Sequence, residues 1–315
     1  MPRTTERASP RCAVPPPPRA YRRTALIRAT WASHLSAIAA LGIVPERWPW
    51  ILGALAANHL VIGGTGLIPT SRLLGPNLTR LTGGPANAVA LTFDDGPDSE
   101  VTPRVLDLLD ERGARASFFV IGKRVEAHPD LAAEIVRRGH AVENHTYRHR
   151  HDFSLRGPRA LDREVTAAQE SIATATGRYP TWFRAPAGLR GVLLEPVLAR
   201  HGLSLAAWTR RAYDTVVRDP AQIVARLGRN LSAGDVLLLH DGSAARTAAG
   251  RPALFEALPR LLDLIAERGL VAVPLPETEV VSLGPQRLAA AEGARRSEEA
   301  NETTSAGVSA PETTE

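Results

Sequence analysis

The chain has 315 residues, 44% hydrophobic and 23% charged, a balance that excludes a fibrous or wholly disordered protein. Its net charge of +5 is concentrated at one end: residues 1–30 carry seven Arg and one Glu, residues 286–315 three Arg and six Glu, leaving +2 for residues 31–285. With a nearly neutral body and no interleaving of aromatic and basic residues, nucleic acid is not an expected partner. Cys12 is the only cysteine, so an intrachain disulfide and a thiolate metal site are both excluded; any metal has to be held by His, Asp or Glu.

Taken in order, residues 1–29 read as a basic arm rich in Pro and Arg, too poor in apolar residues to fold. Residues 30–68 hold two apolar segments. The first, Thr30 to Val44, is short for a bilayer. The second, Trp48 to Ile68, has no formal charge and is long enough to span, with Trp48 and Trp50 placed as an interfacial belt and Asn58 and His59 near its middle. Arg19, Arg22, Arg23 and Arg28 precede the pair, and Arg72 and Arg80 follow it. Two membrane arrangements fit: a transmembrane hairpin with both flanks and the body inside the cell, or one span plus an interfacial or signal-like helix with the body outside. A soluble helical pair packed on the body is the third reading. The expected location is a bacterial inner membrane.

Residues 69–85 read as a linker, and from residue 86 the texture changes. Apolar runs at 88–93, 116–121, 140–144, 181–184, 203–208, 235–240 and 270–275 read as strands. Helical periodicity lies between them: Val101, Val105, Leu106 and Leu109 before Gly113; Leu131, Ile135 and Val136 before Gly139; then 158–176, 191–201, 219–232 and 252–268. This alternation predicts an α/β domain over 86–276 with parallel strands and right-handed crossovers, as a barrel one unit short or an open doubly wound sheet. Residues 277–315 read as an acidic disordered tail.

Polar residues gather at the strand ends, where parallel α/β folds build their sites. Asp94 and Asp95 end the first strand. His145 and His149 follow the third, with His151 close by as a supporting or surface residue. Arg184 ends the fourth, Asp214 follows the fifth, and His240 with Asp241 ends the sixth. Each has an ordinary explanation: turn chemistry for Asp94-Asp95-Gly96-Pro97, a solvated loop for the His pair, a surface role for Arg184, a satisfied core position for His240. Together, one Asp and two His make an O,N,N shell suited to zinc or a similar divalent ion, with the second Asp free to act as a base.

The motifs TFDDGP (92–97), HTYRH (145–149), RAPAG (184–188) and LLLHDG (237–242), in that order, resemble the polysaccharide deacetylase family, also called carbohydrate esterase family 4 or the NodB homology domain. The resemblance covers roughly residues 86–275. It implies a distorted (β/α)7 barrel of the NodB type, here preceded by one or two hydrophobic membrane helices. It implies that Asp95, His145 and His149 hold the metal, most readily zinc, with cobalt, nickel or iron also compatible. By the same resemblance Asp94 is the general base, Arg184 orients it, and Asp214 tethers His240, the general acid. Leu238 would line the acetyl pocket, and the Ala187 N–H would help hold the oxyanion. The implied activity is removal of N-acetyl or other N-acyl groups from an amino-sugar glycan or glycolipid, by a monomer. A deformylase acting on a lipid-linked sugar and a catalytically dead, membrane-anchored glycan-binding protein are the alternatives. The chain departs from the family pattern at Ala187, where an aromatic is usual, at Thr215 in place of Trp, and at Arg211 in place of an acid.

Overall fold

The computed structural model describes residues 14–276. The tail 277–315, Cys12 and the first 13 residues of the arm lie outside the described residues. Among those described, eight strands form one parallel sheet: β1 Ala88–Asp94, β2 Ser117–Val120, β3 Ala141–Asn144, β4 Trp182–Phe183, β5 Ser204–Leu205, β6 Arg210–Arg211, β7 Val236–His240 and β8 Val271–Val273. Nine α-helices accompany them: α1 Ala25–Ile43, α2 Trp48–Gly66, α3 Val101–Asp110, α4 Gly122–Ala127, α5 Pro129–Arg137, α6 Pro158–Thr176, α7 Leu194–Arg200, α8 Pro220–Gly228 and α9 Leu254–Glu267.

The strand order is β5-β4-β3-β2-β1-β7-β6, with β8 pairing the first half of β1. The two ends of this order, β5 and β6, are consecutive in the chain and separated only by residues 206–209. Four residues bridge little distance, so the sheet has to curl until its edges meet at that segment. This is the distorted parallel barrel that the strand count predicts.

Burial alternates along the strands. Val89, Leu91 and Phe93 of β1, with Leu237 and Leu239 of β7, belong to the outer core under α3, α8 and α9. Ala90, Val236 and Leu238 belong to a separate inner cluster with Phe119 and Trp208. The inward series on β1 is therefore Ala90, Thr92, Asp94: small, then polar toward the C-terminal rim. A curled sheet leaves a narrow interior, and small side chains there leave room for one long polar one.

Two expectations are corrected at the seam. The strand expected over 203–208 shrinks to β5, and a further short strand, β6, follows after a break. The break is occupied by the segment expected to be a linker, 69–85. The Leu78 N–H donates to Leu205 O (2.9 Å), and the Ala207 N–H donates to Leu78 O (2.8 Å). Arg80 reaches Asp235 with an ion pair of 2.6 Å. Leu78 to Leu81, within the expected linker, thus belong to the barrel wall. Gly75 and Pro76 interrupt any strand-like run there, which is why the pattern does not announce it.

The N-terminal region also differs. The arm expected to be disordered through residue 29 is fastened at Arg19, which donates to Leu203 O (2.7 Å) and pairs with Glu195 (2.7 Å) on the body. The first apolar helix begins at Ala25, not Thr30, because the Thr24 hydroxyl caps it by accepting from the Ile27 N–H (3.3 Å). At 19 residues it spans about 28 Å. Among the described residues α1 is the one helix long and apolar enough to cross a membrane. This reverses the expected order, since α2 is diluted by Gly53, Gly63, Gly64, Gly66, Pro49, Asn58 and His59.

The two helices form an antiparallel hairpin through the 3-10 turn Pro45–Arg47. Trp31, Leu35, Ile38, Trp50 and Leu60 on it are all more than half exposed. Its base is fixed to the body at α2's end, where Gly66 O accepts from the Arg190 N–H (3.2 Å). A Cβ on Gly66 would collide with the Arg190 carbonyl, so this close approach requires glycine. Pro69 then packs against Gly188 of the RAPAG turn, so the hairpin base abuts the site's rim.

Candidate active site

All the expected clusters converge on the C-terminal rim of the sheet. β1 and β7 are paired in register with Asp94 beside His240 and Thr92 beside Leu238. Asp94 is buried, and its Oδ1 accepts from Arg184 Nη1 at 2.6 Å. Arg184 is itself only 1% exposed. Each of its nitrogens is bonded: Nη1 also reaches Thr92 Oγ1 (2.9 Å), Nε reaches Ala206 O (3.2 Å) and Nη2 reaches Ala207 O (2.9 Å), while the guanidinium lies 4.0 Å from the Phe119 ring centre. Burial lowers its pKa and Asp94 opposes that. This residue fills the narrow interior left by Ala90 and Thr92.

Asp95 turns away from Asp94 with a left-handed backbone (φ 73°). Its Oδ1 lies 3.4 Å from His145 Nε2 and 3.3 Å from His149 Nε2, and it has no hydrogen-bond partner although it is buried. His145 Nδ1 is 2.8 Å from Arg184 O; a carbonyl can only accept, so Nδ1 carries a hydrogen, and in the neutral ring Nε2 presents its lone pair. Burial disfavours the charged form of His145, and Asp94 and Asp95 more than offset it. Burial, then the neighbouring His145, pushes His149 down to about 4, so its ring is neutral near neutral pH. Burial alone would raise Asp95; the neighbouring imidazoles, His145 first, more than offset it and hold the carboxyl below its usual range.

An orphaned carboxylate oxygen facing two imidazole nitrogens is the donor set of a divalent-ion site. The three ligand atoms lie within 4.8 Å of one another. The residues present fit such an ion.

A second carboxylate–imidazole pair lies on the same rim. Asp214 Oδ1 is 2.9 Å from His240 Nδ1, and its Oδ2 accepts from the His240 N–H (2.8 Å). The second ring nitrogen of His240 is thereby left for the site. Burial would lower the pKa of His240, and Asp214 overrides it upward. Leu238 is buried on the inner wall. Ala187 is exposed in the turn Pro186–Gly188 with φ 54°.

Several supporting residues are ones the motif reading does not single out. Asn144 donates to Val165 O (3.1 Å) and Gln169 Oε1 (3.0 Å) and accepts from the Thr146 N–H (2.9 Å); the Thr146 hydroxyl then accepts from the His149 N–H (3.0 Å). This chain of bonds holds the His145–His149 loop. Arg124 Nη1 ties Asp95 O to Gly242 O, at 2.8 Å each. Asp241, fully buried and pushed up to about 7 by burial, accepts from the Thr102 hydroxyl (2.6 Å) below the same loop. Asn144 borders the HTYRH motif and Thr146 lies within it; Arg124 and Thr102 carry no local signal. His151 stands 6.1 Å from the His149 ring, outside the ligand set.

One rim of a curled parallel sheet thus gathers an arginine-fixed carboxylate, a candidate metal triad and a carboxylate-held histidine. Residues 82–206 match the family model described as polysaccharide deacetylase. A chitooligosaccharide deacetylase of Sinorhizobium fredii is 35% identical over 202 residues, 62% of this chain and 93% of that protein. A peptidoglycan-N-acetylglucosamine deacetylase of Bacillus cereus is 34% identical over 60% of this chain and 86% of that protein. The solved family 4 carbohydrate esterase of Streptomyces lividans, in complex with acetate, is 33% identical with TM-score 0.54, over 59% of this chain and 91% of that one. The chain belongs to the polysaccharide deacetylase family and is a hydrolase of carbon–nitrogen bonds in linear amides.

Proposed function

We propose that the protein removes the N-acetyl group from an amino-sugar-containing glycan or glycolipid, with a zinc ion held by Asp95, His145 and His149. The observation that carries this is the placement of Asp94, fixed by Arg184, beside that triad and in register with His240. Cobalt, nickel and iron suit the same ligands. Such an ion, when bound, supplies an acidified water and a polarised carbonyl.

The chain's own residues do the rest. Asp94 Oδ1 is committed to Arg184, so Oδ2 takes the proton of the attacking water. The Ala187 N–H, in its left-handed turn, serves as an oxyanion donor, a contribution of about 3–4 kcal/mol for groups of this kind. Leu238 bounds the acyl methyl. His240, held through Nδ1 by Asp214, protonates the departing sugar amine through its other nitrogen, because an amide nitrogen does not leave as an anion. The exposed apolar hairpin α1–α2, with Arg22 and Arg23 before it and Arg28 in its first turn, attaches this site to a membrane.

The test is acid release by the metal-loaded full chain over a panel of N-acetylated glycans and lipid-linked sugars, with the acid identified. Acetate supports the proposal. Formate alone makes the enzyme a deformylase. No acid from any member would favour a glycan-binding role.

A further inference from the structure

Arg211, near the rim, is a cation that the hydrolytic roles leave unused. β6 pairs β7 with Arg210 beside Leu237 and Arg211 beside Leu238. Paired residues of a parallel sheet share a face, so Arg211 follows Leu238 to the inside of the barrel, one level below His240, while Arg210 and Ala212 face out. The contacts agree. Arg210 pairs with Asp235 at 2.5 Å, and Ala212 lies in the outer core.

The Arg211 guanidinium is held between two aromatic rings, 5.5 Å from Trp208 and 4.8 Å from Tyr213. Trp208 in turn lies over Gly188 of the RAPAG turn and 6.0 Å from Arg184. Yet Arg211 has neither a hydrogen bond nor an ion pair among the described residues, and its buried Nε has no partner. The nearest acid on its loop, Asp214, has both oxygens committed to His240. Beyond Tyr213 the positive charge continues, with the exposed Arg226 5.4 Å from the same ring. A guanidinium positioned by π faces but left without an acceptor is arranged to receive a planar or tetrahedral anion through its fork of donors.

We infer that Arg211 forms an anion subsite at the mouth of the barrel, so that the preferred amino-sugar substrate carries a carboxylate or phosphate next to its N-acetyl group. This rests on the deacetylase reading and narrows its substrate class. The phosphate source would be a sugar phosphate or a lipid-diphosphate sugar; the carboxylate source would be a lactyl ether of the sugar.

The experiment compares the metal-loaded full chain with Arg211→Gln and Arg211→Lys, after melting curves establish that each is folded. Substrates are a neutral N-acetylated chitooligosaccharide, an N-acetylglucosamine 1-phosphate derivative and an N-acetylmuramic acid saccharide. Arg211→Gln should lower kcat/KM for an anionic substrate by roughly tenfold or more, through KM, and change the neutral one less than about threefold. The Lys variant should recover part of the loss. Which anionic arm responds identifies the anion. An equal loss on all three substrates, or a wild type with no preference for either anion, overturns the inference. Calorimetric binding of N-acetylglucosamine 1-phosphate, N-acetylmuramic acid and N-acetylglucosamine to the same proteins reads the subsite without turnover. A failure of acetate release would therefore count against the deacetylase reading alone. Neither anionic sugar binding more tightly than the neutral one, or an advantage kept in Arg211→Gln, would overturn the subsite.

Discussion

Arg184 Nη1 and Asp94 Oδ1 lie 2.6 Å apart inside the barrel, with the side chains 1% and 5% exposed. The arginine leaves β4, crosses the interior, and satisfies its other donors on β1 and on the chain seam between β5 and β6. It fixes which oxygen of Asp94 remains for chemistry, and it makes the carboxylate's orientation depend on closure of the barrel.

Asp94→Asn keeps the shape of the side chain and an acceptor for Arg184 but removes the base. We expect kcat to fall about 10²- to 10⁴-fold with metal content unchanged. Wild-type turnover in this variant would refute Asp94 as the base.

Arg184→Met leaves a carboxylate buried without its partner, a change that costs about 3–5 kcal/mol in comparable settings. Urea unfolding of metal-free protein should show that loss as a lower midpoint. A variant as stable as wild type would mean the pair is replaceable by packing alone.

His149→Ala or Asp95→Asn should abolish stoichiometric divalent metal, read by elemental analysis after dialysis. Asn144→Ala, which frees the loop without touching a ligand, should weaken metal affinity about 10- to 100-fold and recover activity at saturating metal. An Asn144→Ala protein with unaltered affinity would show that the loop needs no such brace.

Asp214 raises the pKa of His240, and the acid role needs the protonated ring. In Asp214→Asn the pKa should fall, so the alkaline limb of the kcat/KM profile moves to lower pH. An alkaline limb that stays in place assigns it to another group.

His140 tests the fold away from the site. Burial pushes it down to about 4 from an ordinary 6.5. Its Nδ1 accepts from the Ala116 N–H (3.2 Å), and its ring meets Phe118 edge-on. The folded state therefore prefers the neutral ring. Its contribution is complete above pH 6.5 and is lost as pH falls through 4, on the order of 2 kcal/mol. His140→Gln should flatten the difference between denaturation midpoints at pH 7 and pH 4; an unchanged slope would exclude this residue as the source.

Much of this was legible in the residues. α6 runs over 158–176 as its periodicity predicts, and Asp94, Asp95, His145, His149, Arg184, Asp214 and His240 meet on one rim because each ends or follows a strand of the same parallel sheet. What was not legible lies in contacts far apart in the chain. Leu78 fills the seam through backbone bonds that leave no pattern, Arg19 is pinned by Glu195 176 residues away, and Thr24 moves the start of α1 with one hydroxyl. The interior place of Arg211 came from register with Leu238, which a two-residue strand does not advertise.

The hairpin has a practical corollary. Thr24 Oγ1 donates to Leu73 O at 2.7 Å, so the chain leaves the body and rejoins it at nearly the same point. Helices α1 and α2 are therefore an insertion with touching ends. Joining Thr24 to Pro69 through a few glycines removes the apolar surface while sparing the strap that runs on through Leu78, the kind of excision that surface insertions tolerate. The shortened enzyme should stay in the soluble fraction without detergent, with the Asp95, His145 and His149 cluster intact, and would separate the chemistry of the barrel from its attachment.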